Sequence, residues 1–246
     1  MLIGEILLVI VCLAIGGILK GATGAGAPIL AVPAITALFD VRFAIAVMCM
    51  PNLLTNAWQA WRFRGSLPPR RFTLPFVLGG MAGVCAGTLL LAFVPAERLS
   101  ILVALAVSGY VVVRLARPHW KIEQPHAAQL ALPVGIAGGF LQGASGLSAP
   151  ISLTFLNAMR MDRPTFIATI SLFFTMFGAV QTIALTASSL FSGTEFVYSI
   201  LALIPIWAAM PLGTFLAKRM SPAVFDRVIL TLLSALALKL VVSALF

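Results

Sequence analysis

Residues 16–29 (GGILKGATGAGAPI) and residues 138–151 (GGFLQGASGLSAPI) are two copies of one phrase, each set into a long apolar stretch. At an offset of 122 they share Gly16/Gly138, Gly17/Gly139, Leu19/Leu141, Gly21/Gly143, Ala22/Ala144, Gly24/Gly146, Ala27/Ala149, Pro28/Pro150 and Ile29/Ile151. Thr23 faces Ser145, which keeps a hydroxyl in place. Glycine adopts backbone conformations closed to other residues and lets another group approach closely. Proline just inside a helix start costs nothing, because that amide has no intrahelical partner. Each phrase therefore predicts an unwound loop feeding the N-terminus of a short helix, with Ser148 as N-cap of the second. A chain like this must break two helices at matching places in its two halves, a pattern that marks transport sites in membrane proteins.

The membrane setting follows from composition. Hydrophobic residues make up 61% of the 246 residues and charged residues 9%, against about 45–50% and about 25% in soluble domains. Too few polar side chains remain to cover a surface in water. Eight apolar units recur, at 2–39 (broken at 21–28), 41–61, 72–94, 98–116, 127–159 (broken at 143–150), 164–187, 196–217 and 223–245. They run apolar without the alternation of a barrel strand, so the fold class is an all-α polytopic membrane protein. Leu2–Leu19 does not read as a signal peptide: it lacks a basic start, carries Glu5 and runs into the glycine phrase. Cys12, Cys49 and Cys85 lie within apolar stretches and suggest small core residues, with neither a disulfide framework nor a metal cluster. The net charge of +9 sits mostly between apolar units, where it orients the chain and contacts lipid, so no nucleic-acid partner is expected.

The duplication continues past the glycine phrase. Gln59 matches Gln181 at the same offset, Gly87-Thr88 matches Gly213-Thr214, and Pro95-Ala96 matches Pro222-Ala223. Each half is a broken, re-entrant element followed by three helices: residues 1–116, a linker at 117–126, and residues 127–246. Arg62, Arg64, Arg70 and Arg71, the linker, Arg160 with Arg163, and Lys218 with Arg219 and Arg227 are placed in the cytoplasm by the positive-inside rule. These assignments agree only if the second broken element enters from and returns to the cytoplasmic side. The halves are then inverted, and both termini lie outside; the alternative is a duplication with parallel halves, which would put Lys218, Arg219 and Arg227 outside.

Two inverted copies would aim two helix N-termini, with their free amides and positive dipole ends, at one central cavity suited to an anion. The backbone of residues 23–27 (Thr23, Gly24, Ala25, Gly26, Ala27) and 145–149 (Ser145, Gly146, Leu147, Ser148, Ala149) would form it. Asn52, Thr55, Asn56 and Gln59 fall on one face of the second unit, behind a kink expected at Pro51, and Ser171, Thr175, Gly178, Gln181 and Thr182 form a comparable face. Of these, Asn52, Asn56, Gln59 and Gln181 join the expected site. Lys20, whose counterpart is Gln142, is a candidate cation for it, with snorkelling to an interface as the alternative. Gly79, Gly83 and Gly87, spaced by four with no proline following, read as helix packing. Trp58, Trp61, Trp120 and Trp207 include interface anchors.

At GATGAGAPIL and GASGLSAPIS the chain resembles the TauE/SafE family of sulfite and organosulfonate exporters, across essentially its whole length. The resemblance implies movement of sulfite, sulfoacetate or related sulfonates across the bacterial inner membrane. The chain has no nucleotide signature, so an ion gradient or the substrate itself would supply the energy. The expected partners are a small anion and the lipid bilayer, with a homodimer left open and no cofactor or metal. An anion channel with the same helix-end chemistry is the alternative. An intramembrane enzyme is disfavoured, because the apolar units hold no histidine and almost no carboxylate. A site of helix ends and neutral amides would carry little buried charge when empty, so the unloaded protein could reorient at modest cost.

Overall fold

The structure is a computed structural model and describes residues 3–116 and 121–219, with Thr231. The described elements are helical: α1 (Ile3–Thr23), α2 (Ala27–Thr36), α3 (Val41–Arg62), a 3-10 turn at Arg64–Ser66, α4 (Arg70–Phe93), α5 (Ala96–Ala116), α6 (Gln124–Ser145), α7 (Ser152–Ala158), α8 (Arg163–Ala187) and α9 (Gly193–Arg219). The first break, at 24–26, falls inside its expected interval, and the second, at 146–151, runs one residue past its own. The apolar unit at 223–245, the Pro222-Ala223 match, Arg227 and linker residues 117–120 lie outside the described residues. The expected linker ends earlier than its composition suggested: Gln124–His126 already belong to α6, because Pro125 suits a first helical turn.

Among the described residues, five helices are long and apolar enough to cross a membrane: Gly4–Thr23, Arg70–Phe93, Pro125–Ser145, Arg163–Ala187 and Gly193–Ala217. Beside them run α3, of 22 residues, and α5, of 21. The chain is a multi-pass helical membrane protein. Asp40 caps α3 by accepting from the Phe43 amide at 3.0 Å, and Asp162 caps α8 by accepting from the Thr165 amide at 3.3 Å. These two caps are also 122 residues apart, so the duplication extends to helix starts. Hydrogen bonds from the Thr165 side chain and amide hold the Asp162 carboxyl below its ordinary range.

Glycine sets the closest packing. A Cβ added at Gly83, Gly87, Gly139 or Gly143 would overlap the carbonyl oxygens of Ile136, Phe140, Gly80 and Val84, so α4 and α6 touch backbone to backbone. The packing role expected for Gly79, Gly83 and Gly87 is what the structure has. Likewise Gly17 and Gly21 of α1 meet the carbonyls of Ile206 and Met210, and Gly213 of α9 meets that of Ile18. The partners rise in step along each pair, so α1 runs parallel to α9 and α6 parallel to α4. By contrast α3 and α8 run antiparallel: Gln59 meets Ser171, Leu53 meets Gly178, and Cys49 meets Thr182.

Each short helix folds back on its predecessor. Gly16 of α1 packs against the Ala27 carbonyl of α2, and α7 ends where its Ala158 carbonyl accepts from the Ile122 amide, just before α6 begins. Stacked rings of Phe76 and Phe173, 4.2 Å between centroids, join α4 to α8.

Pro51 opens the α3 ladder. It has no N–H to donate to the carbonyl of Val47. The buried Ser199 hydroxyl of α9 donates there instead at 2.9 Å and accepts from the Met50 amide at 2.8 Å. Ser199→Ala leaves the Val47 carbonyl without its donor in a buried interior and is expected to cost about 1–3 kcal/mol, read as a lowered midpoint of thermal unfolding in detergent. An unchanged midpoint would mean that α3 does not depend on this bridge.

Candidate transport site

The polar stripe of α3 is fully internal. Asn52, Thr55, Asn56 and Gln59 are all buried, which the i, i+3, i+4, i+7 spacing foretold. Lys20 lies against them. Its side chain is 1% exposed, so the snorkelling alternative is wrong: α1 turns this face toward α3, and the amine is drawn inward by a polar partner. Lys20 Nζ donates to Asn56 Oδ1 at 2.7 Å, and Asn56 Nδ2 donates to Asn52 Oδ1 at 2.8 Å. Among the described residues no carboxylate pairs with Lys20. A site here would therefore not be built from neutral groups alone, as the scarcity of intramembrane charge had suggested, because the basic side chain of Lys20 lies buried against the stripe.

The α8 face supplies the far wall. Ser171 Oγ donates to Gln59 Oε1 at 3.3 Å, while Gln181 Nε2 donates to the Gln142 carbonyl at 3.4 Å. Residues 20 and 142 are equivalents, as are 59 and 181. The first copy therefore presents an amine where the second presents an amide.

The loops obey the glycine reading. Gly24 and Gly146 sit at φ 82° and 73°, and their amides close α1 and α6 by donating to the carbonyls of Lys20 and Gln142, both at 2.7 Å. Gly26 sits at φ 123° and caps α2 without a side chain; Pro28 has no N–H and the Ile29 amide donates to the Gly26 carbonyl at 3.1 Å, so of the first three positions only the Ala27 amide is left for another partner. The second loop takes a different path. Ser148 is not the N-cap of α7; Ile151 is, and no side chain caps that helix. Ser148 offers its carbonyl to the amides of Ile151 and Ser152, while its buried hydroxyl has no partner. The turn through Ala149–Ile151 delays the helix start by three residues relative to α2.

The hydroxyls of Thr23 and Ser145 donate backwards, to the carbonyls of Leu19 at 2.8 Å and Leu141 at 2.7 Å. Thr23 Oγ1 also contacts the Ala25 carbonyl. In this geometry both hydroxyls finish their helices and do not point hydrogens at a ligand.

The structure does not bring the two loops together. Gly24 lies against Ile167, four residues into α8, and Gly146 lies against Ile45, four residues into α3, and Val32. Because α3 and α8 are antiparallel, the loops sit toward opposite ends of that pair. A cavity of about 300 Å³ opens at the first loop, lined by Thr23, Ala25 and Gly26 together with Asn157, Arg160 and Arg163, and it contains no residue of 145–149. Arg163 Nη2 donates to the Ala22 carbonyl at 3.2 Å. Sequence reading used Arg160 and Arg163 only to orient the chain. No spacing in the sequence connects them to residues 23–26, which lie more than 130 positions away.

Among the described residues there is no group of three or more His, Cys, Asp or Glu placed to hold a metal ion. Helices broken at matching places and a buried polar stripe around Lys20 are features expected of a membrane transport protein. The family description sulfite exporter TauE/SafE matches residues 8–240, and the chain belongs to that family. Neither a curated protein nor a solved structure matches it.

Proposed function

We propose that this protein exports a small anionic sulfur compound, sulfite or an organosulfonate, by alternating access across a bacterial inner membrane. The observation that carries the reading is Lys20, a buried basic side chain with no carboxylate beside it among the described residues. Burying a charge is costly unless something pairs with it. Asn56 supplies a neutral acceptor, and an anionic substrate supplies the missing charge. Arg160 and Arg163 attract the anion into the cavity at the first loop. The Ala27 amide at the start of α2 and the side-chain amides of Asn52 and Gln59 then orient its oxygens, while Asn56, whose N–H groups go to Asn52, holds Lys20. Ser145, Gly146, Leu147, Ser148 and Ala149, with Gln142 and Gln181, form the corresponding place in the other half. Lacking a cation, that place binds more weakly and suits release.

Several contacts support inverted halves. The equivalent helices α3 and α8 pack antiparallel, as a two-fold axis in the membrane plane demands. The glycine contacts are reciprocal: Gly17 on Ile206 corresponds to Gly139 on Gly80, Gly21 on Met210 to Gly143 on Val84, and Gly213 on Ile18 to Gly87 on Phe140. Each broken helix is thus fastened to a helix of the other half. The fastened pairs α1–α9 and α4–α6 move as units against α3 and α8. Cysteines placed at Arg64 and Arg219, with Cys12, Cys49 and Cys85 replaced, are expected to label from the same, cytoplasmic face. Labelling from opposite faces would refute inversion.

The functional test is counterflow in proteoliposomes, with labelled sulfite and a panel of organosulfonates. Uptake is expected to saturate and to accelerate when the same anion is preloaded inside. Non-saturating currents without acceleration would replace the carrier with a channel.

A further inference from the structure

A second basic recess lies on the other side of α1 from the cavity of the first loop. It has a volume of about 550 Å³ and runs between α3, α8 and α9, with Arg62 and Arg163 at one end and Trp58 and Trp207 along its rim. The indole rings are 6.5 Å apart, and each is a little under half exposed. Met210 and Ile167 line its inner wall. Arg62 is exposed and has no hydrogen-bond or ion-pair partner among the described residues. Arg163 spends one N–H on the Ala22 carbonyl. This end of the molecule also carries Arg64, Arg70 and Arg71, so the positive-inside rule places it at the cytoplasmic leaflet.

We propose that this recess holds the headgroup of an anionic phospholipid, with the phosphate between the Arg62 and Arg163 guanidinium groups and the glycerol and upper acyl chain against Trp58, Trp207 and Met210. The chemistry is complementary at each level. Guanidinium forks match phosphate oxygens, tryptophan rings favour the headgroup boundary, and the inner wall is apolar. The cytoplasmic leaflet is where anionic lipids concentrate, and basic pockets between helices recognise their headgroups. A free sulfite-sized anion would meet the arginines but leave the apolar wall uncovered, so a lipid fits better than the transported substrate. Gln59 borders the same recess, so an occupying lipid sits against the end of the polar stripe.

The test uses the purified full chain in a neutral detergent, without transport substrate, by native mass spectrometry and thermal unfolding. Phosphatidylglycerol is expected to remain bound and to raise the unfolding midpoint, while phosphatidylcholine and inorganic phosphate do neither. Arg62→Gln is expected to weaken phosphatidylglycerol retention roughly fivefold, and Arg62→Gln with Arg163→Gln by more than tenfold. Arg62 is exposed and makes no hydrogen bond or ion pair among the described residues, so the single variant is expected to fold and remains informative if the double variant misfolds. Equal protection by inorganic phosphate would overturn the lipid assignment in favour of a free anion. Undiminished phosphatidylglycerol retention by Arg62→Gln would overturn the site itself. Neither outcome touches the transport reading, which rests on Lys20.

Discussion

Replacing Lys20 with glutamine is expected to lower anion counterflow about 10- to 100-fold while leaving folded protein in the membrane. Glutamine already occupies the equivalent position of the second copy, at Gln142, so the change has a precedent in this fold. It can keep a hydrogen bond to Asn56 and removes only the charge. A donor to a charged group is worth roughly 1.5–3 kcal/mol, which is one to two powers of ten in binding. Stability is expected to move the other way. The empty protein buries the Lys20 amine with a neutral oxygen 2.7 Å away and no carboxylate beside it among the described residues, and relieving that cost should raise the unfolding midpoint. Opposite signs for transport and stability separate a functional cation from a structural one. If Lys20→Gln transported sulfite with unchanged affinity, the anion would not lie at Lys20, and the proposed site would fall. Gln59→Leu and Gln181→Leu provide the comparison between halves. The stronger loss is expected at Gln59, which belongs to the copy that carries the lysine.

The positions of the helix breaks were legible because glycine and proline act through local backbone physics. Gly24 and Gly146 need positive φ, and Pro28 accepts a helix start; neither depends on what lies nearby. Burial of the α3 stripe was legible for a similar reason, since an amide-rich face at helical spacing has few places to go in lipid. Ser148 was misread because capping depends on where the helix starts. The second loop runs through an extra turn at Ala149–Ile151, which moves the first amides out of reach of the Ser148 hydroxyl. Thr23 and Ser145 look like ligand donors in one dimension, but within a helix the nearest acceptor is the carbonyl four residues back. The approach of Arg160 and Arg163 to the first loop is tertiary, made by the Arg163–Ala22 hydrogen bond and the contact of Ile167 with Gly24. One signal did lie in the sequence unread: Asp40 and Asp162 share the offset of 122 and both begin helices.

A single methyl group added at Gly83 or Gly21 is expected to destabilise the protein by roughly 3 kcal/mol or more, the upper end of what overpacking costs. In most helices the change from glycine to alanine stabilises, by about 1 kcal/mol, because alanine loses less backbone entropy on folding. Here the sign reverses, since the new Cβ overlaps a backbone carbonyl, that of Ile136 for Gly83 and that of Met210 for Gly21. A side chain can rotate away from such an overlap; a helical carbonyl can yield only if the whole helix moves. The α4–α6 and α1–α9 pairs must then separate along much of their length, and in lipid little hydrophobic force returns them. Gly109 in α5 is the internal control: an added Cβ there meets nothing within 4 Å, so Gly109→Ala should be neutral or mildly stabilising. Reciprocity sharpens the test. Gly17 and Gly139 are equivalent contacts, so alanine should cost nearly the same at both, although they face different helices and lie 122 residues apart. Thermal unfolding in detergent reads all five variants. If Gly83→Ala and Gly21→Ala melted like Gly109→Ala, the glycine contacts would not hold the pairs together. The two fastened units on which the proposed transport cycle depends would then lose their physical basis.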